Sequence, residues 1–108
     1  MNRLAMTAVI LTCLASPALA QEHGDARAGR ALALSACANC HLVAEGQSKP
    51  PMDSVPSFDA IAHNQAMTEA RLRAFLNKPH WPMPDLQLSR QQIEDEIAFL
   101  AELRTSRR

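Results

Sequence analysis

The sequence predicts a small all-α domain, and three observations carry that prediction. Tyrosine is absent, glycine totals three, and β-branched residues rarely occur together, a composition unsuited to strands. Beyond Pro17 the prolines gather in the middle of the chain, at 50, 51, 56, 79, 82 and 84, leaving proline-free segments on both sides. Each of those segments opens on a capping residue and repeats small or apolar side chains at helical spacing.

Residues 1–20 read as a secretory signal, with Arg3 as the positive start, an apolar run over 4–14 and Ala18-Leu19-Ala20 as a small-x-small cleavage site. The apolar run is too short to span a bilayer, so no membrane anchor is expected. A lipid on Cys13 is not expected either, because Thr12 fits a lipobox poorly and the cleavage site lies downstream. Cleavage after Ala20 leaves 88 of the 108 residues, one domain over 21–108. Losing Arg3 from the 11 basic residues against 11 acidic ones makes the net charge −1. With no basic stripe, nucleic acid is excluded as a main partner. So short a chain buries proportionally little surface and needs a staple, and a bridge between Cys37 and Cys40 would close too small a loop to serve.

The first helix is predicted over 25–36, capped by Asp25. Its Gly29, Leu32, Ala33 and Ala36 share one unusually small face, suited to close approach by another helix. A short helix follows over 57–63, capped by Ser57, and a third over 68–77, capped by Thr68 and stopped by Pro79. Segments 44–56 and 78–88 are expected as loops. The last helix runs over 89–103, where Ser89 and Gln92 form a capping box and Glu94 and Asp95 complement the helix N-terminus. Ile93, Ile97, Phe99, Leu100 and Leu103 form its apolar arc. Glu96 falls inside that arc and is expected to snorkel at its edge rather than meet Arg27 or Arg30.

The chemistry lies in Cys37-Ala38-Asn39-Cys40-His41. Two thiols two residues apart and followed at once by histidine form the pattern of covalent c-type haem attachment. The sulfurs reach the two vinyl groups on one porphyrin edge, and His41 lies beneath the plane with its imidazole available to iron. A thioredoxin-type reading lacks a preceding strand, zinc lacks a second ligand pair, and a plain disulfide leaves His41 unused. Apolar porphyrin surface also supplies the missing staple, at about 2.5 kcal/mol for each 100 Å² buried.

With this motif in place the chain resembles a small class I cytochrome c over nearly all of its predicted mature length. Gly29 stands eight residues before Cys37, where the family has a small residue, and Phe99 stands where the family's last helix packs an aromatic across it. Pro56 resembles the family's loop proline, whose carbonyl accepts from the proximal histidine. Met83-Pro84-Asp85-Leu86-Gln87-Leu88-Ser89 resembles the distal-ligand signature. The resemblance implies a compact cytochrome c fold of three to four helices around one covalently attached haem, with the terminal helices crossing. It departs from the family at Ala33, where an aromatic is frequent, and at Glu96, where leucine is. Both departures predict a thinner contact between the terminal helices.

The expected axial ligands are His41 and Met83. Pro82 and Pro84 stiffen the loop around Met83, which lowers the cost of ordering a thioether. His80 is the rival, with an open sixth position behind it. Met67 is expected as a staple to the third helix, Met52 as cover for the haem edge, and His63 as a solvated helix end. Trp81 is expected to pack on the ring edge rather than donate to a propionate, for which Asn77 and Lys78 are candidates. The function expected is electron transfer by a periplasmic monomer, with no substrate transformed. Lys49 and Lys78 are the only lysines, so docking to redox partners should be small, mostly apolar and transient. The alternatives are a haem enzyme or gas sensor with a labile distal ligand, and a small subunit of a periplasmic dehydrogenase or oxidase.

Overall fold

A computed structural model describes residues 23–79 and 81–106; the predicted signal and His80 lie outside the described residues. These contain four α-helices and no strand. Each helix begins where a short polar side chain takes up the first free backbone N–H groups. The Asp25 carboxylate accepts from Arg27 N at 2.8 Å and Ala28 N at 3.3 Å, starting α1, Ala26–Leu32. The Ser57 hydroxyl accepts from Ala60 N at 3.0 Å and starts α2, Phe58–His63. Thr68 accepts from Arg71 N at 3.2 Å and starts α3, Glu69–Asn77. Ser89 and Gln92 cap one another to start α4, Arg90–Thr105. All four caps are the predicted residues. Lys78, restricted by the following Pro79, leaves the helical region with φ −148° and ends α3.

One local feature departs from the sequence pattern. After Leu32 the first helix widens into a π-turn, Ala33–Cys37, in which Ala38 N reaches back five residues to Ala33 O at 2.9 Å. The helix therefore ends on the first cysteine of the motif.

The core forms where α4 crosses α1. Ile93, Ile97, Phe99 and Leu100 are buried from α4, Ala33 from the first helix, Phe58 and Ala62 from α2, and Leu72 from α3. The predicted thinning of the terminal crossing does not occur. A Cβ at Gly29 would stand 2.0 Å from Asp95 O, and one at Gly24 would stand 1.9 Å from Glu94 O. Two missing side chains, one on α1 and one just before its cap, thus let the chain approach α4 to backbone contact, which the Ala33 and Glu96 departures do not prevent. Asp95 and Glu94 act between elements rather than mainly on their own helix end. Asp95 Oδ1 accepts from Asp25 N and from Gln91 Nε2, both at 2.8 Å. Glu94 takes a two-pronged bond from Arg73, at 2.6 and 2.9 Å, which holds its carboxyl below the usual range.

Glu96 corrects a second expectation. It does not snorkel; it is 2% exposed and neither carboxylate oxygen has a hydrogen-bond partner. Two small positions, Gly29 and Ala33, lie buried on the helix that α4 crosses, so Glu96 is enclosed with the rest of the arc.

Candidate haem site

Cys37 closes the π-turn, and the next backbone turn binds both Cys40 N and His41 N to Cys37 O, at 3.0 and 2.9 Å. Cys37, Cys40 and His41 therefore project from one tight turn, all half-buried, and the two sulfurs are not bonded to one another. Burial, the nearby Glu96 charge and Cys40 push the Cys37 thiol up to about 12, so it stays protonated at neutral pH.

His41 is held from behind. Its Nδ1 lies 2.6 Å from Pro56 O. A carbonyl can only accept, so Nδ1 carries a proton, and in the neutral imidazole the lone pair is then on Nε2, the tautomer required of a metal ligand. Phe58 meets the imidazole edge-on at 5.6 Å and stacks toward Phe99 at 5.9 Å, joining the site to the core. The same loop is anchored by Phe58 N donating to Leu42 O at 2.9 Å and by Met52 N donating to Cys40 O at 2.8 Å.

Sequence reasoning missed Gln47. Its Oε1 accepts from Val43 N at 2.7 Å and Ala44 N at 3.3 Å, while Nε2 donates to Ala38 O, His41 O and Lys49 O at 3.3, 3.0 and 2.8 Å. One side chain thereby supports the backbone of both the motif and its following loop. Gly46, at φ +73°, makes the turn that aims it. A lone glutamine in a polar stretch carries no periodic or motif signal, although glycine beside it marks the turn.

The structure places Met83 in a different loop, half-buried between exposed Pro82 and Pro84. Beyond it Asp85 accepts from Gln87 N at 2.8 Å, and Gln87 takes a left-handed φ of 51° on the way into α4. Met67 packs against the core, as expected of a staple. Met52 is 52% exposed beside Cys40, and His63 is exposed and bonded within α2 to Asp59. Trp81 is 89% exposed and is no part of the core.

Two half-buried thiols, an imidazole with its Nε2 lone pair available, and an aromatic wall form a donor set that fits a c-type haem. No group of three or more His, Cys, Asp or Glu side chains suited to a bare metal ion occurs among the described residues. A comparison with protein families decides the point: residues 26–104 match the model of cytochrome c. The chain belongs to the cytochrome c family. It is also 37% identical over 95 residues to cytochrome c-552 of Bradyrhizobium diazoefficiens, covering 88% of this chain and 90% of that protein. No solved structure gives a significant match. As a cytochrome c the protein binds a c-type haem covalently and serves in electron transfer. No helix among the described residues is long and apolar enough to cross a membrane.

Proposed function

We propose that this cytochrome c is a periplasmic, monomeric carrier of single electrons, with thioether links at Cys37 and Cys40 and axial ligation by His41 and Met83. On this reading residues 1–20 are the cleaved signal and 21–108 the working domain. The observation that carries it is the His41 Nδ1–Pro56 O bond at 2.6 Å, immediately after the cysteine pair. It commits the imidazole to one tautomer and one orientation before any metal is present, so ligation costs little reorganisation.

When bound, the haem supplies one-electron chemistry at its iron. The chain's residues then have separable tasks. Cys37 and Cys40 prevent loss of the group. His41 would hold the iron through Nε2 and Met83 through its thioether, a pairing that would raise the potential above that of two histidines. With both residues bound, no position would be left for an exogenous ligand, which would disfavour enzyme or sensor chemistry. With few lysines for steering, redox partners dock through a small apolar contact.

An optical spectrum of the oxidised holoprotein tests the ligation. The near-infrared sulfur–iron band is expected in the wild type and absent from Met83→Ala, whose reduced form binds carbon monoxide readily. A wild type that lacks the band and takes up carbon monoxide overturns the carrier reading in favour of His80 or an open position.

A further inference from the structure

Glu96 has no task in the function above, yet it is the most completely enclosed large side chain of the described core. Its two carboxylate oxygens lack any hydrogen-bond partner, and ionising a group so placed is costly. It is shut off from solvent and within electrostatic range of the haem attachment point, since its charge helps to raise the Cys37 thiol. The groups around it supply no compensating cation. On its own helix Asp95 adds a like charge. From the first helix and its π-turn, Cys37 lies within range of its charge while Arg27 and Arg30 are exposed. His63 on α2 is exposed and engaged with Asp59, and on α3 Arg71 and Arg73 are exposed, Arg73 being engaged with Glu94. On α4 itself Arg90, Glu102 and Arg104 are exposed, Arg104 donating to Ala62 O and Met67 O. Asp25, Asp59 and Glu69 are the remaining acids on or capping those elements.

We propose that Glu96 couples a proton to the electron: the carboxyl takes up a proton from solvent when the protein accepts an electron from its redox donor, and releases it when the electron is passed on. The inference rests on the haem reading given above. Reduction of a haem held at Cys37 would add one negative charge within electrostatic range of the carboxylate, and protonating Glu96 would cancel it, so the reduced protein plus one proton balances the oxidised protein, one electron and one solvent proton. Burial and Asp95 already raise this carboxyl to about 8, which puts its titration within reach of physiological pH. The sign follows from linkage. The extra positive charge of the oxidised state favours the carboxylate, so Glu96 has the lower pKa when oxidised and the higher when reduced. Between those two values the reduction potential falls as pH rises, and it is flat on either side.

The test uses the holoprotein and two readouts. Reduced-minus-oxidised infrared spectra near pH 8 are expected to show a carboxylic C=O stretch, shifted in deuterium oxide and absent from Glu96→Gln. Potentiometry across pH 6 to 10 is expected to show the falling segment in the wild type and its loss in both Glu96→Gln and Glu96→Leu, the second variant restoring an apolar arc if the amide disturbs packing. A wild type without the stretch, or a falling segment that survives in both variants, overturns the proposal. Failure of the haem reading has a different signature: an oxidised wild type lacking the sulfur–iron band refutes Met83 ligation, while the infrared difference band still decides the role of Glu96.

Discussion

The loop that follows His41 and the loop that carries Met83 are held by opposite means. The first is pinned by hydrogen bonds. Gln47 ties five backbone groups, Pro56 O accepts from the imidazole, and Phe58 closes the loop onto the core. The second is constrained by covalent geometry, with Pro79, Pro82 and Pro84 limiting φ and an Asp85–Gln87 turn leading into α4. A bonded loop fixes an imidazole in both position and tautomer, and loses much when one side chain is removed. A proline-stiffened loop restricts the unfolded chain instead, so the loss of one contact is felt less. The difference suits the two proposed ligands: imidazole has a tautomer to set, and a thioether has none.

Both loops depend on the α1–α4 crossing, and breaking it should have the largest effect. Gly29→Val places carbon where Asp95 O already stands, so the helices must part, at a cost of about 3 kcal/mol in urea unfolding of the holoprotein. A change below about 1 kcal/mol would show that the crossing yields easily and that the loops, not the helices, carry the stability.

Gln47→Ala strikes the bonded loop alone. Losing one side chain that serves five backbone partners should cost about 2 kcal/mol and broaden the imidazole signals of His41 in the NMR spectrum. Unchanged His41 signals would mean that Pro56 alone sets the ring. The smallest effect is expected in the other loop. Gln87 holds a left-handed backbone that glycine adopts freely, so Gln87→Gly should stabilise by about 0.5 kcal/mol. Destabilisation instead would show that the Gln87 side chain contributes contacts that outweigh its backbone strain.

Much of this architecture is legible in the sequence alone. The caps Asp25, Ser57, Thr68 and Ser89 are local features: a side chain two or three residues from a free N–H decides where a helix begins, and that information is contiguous along the chain. The haem motif is legible for the same reason, since five adjacent residues contain both thiols and the imidazole. Residues whose roles are not legible act on parts of the chain that pattern does not connect. Asp95 reads as a residue for its own helix end, yet one of its partners is Asp25 N, 70 positions away. Gln47 reads as loop filler, with nothing periodic to mark its five partners. Gly24 lies outside the small face of the first helix, yet it completes the close crossing.

The amino-acid sequence by itself determined the helical class, the four helix starts, the covalent haem motif and the small face of the first helix, because each depends on neighbours along the chain. Only the tertiary structure decided how closely the terminal helices meet, how Gln47 braces the motif, and that Glu96 is enclosed. Those outcomes depend on which backbone atoms and side chains meet once the chain is packed. Helical periodicity identifies a face, but only the packed partner decides whether a charge on it reaches water.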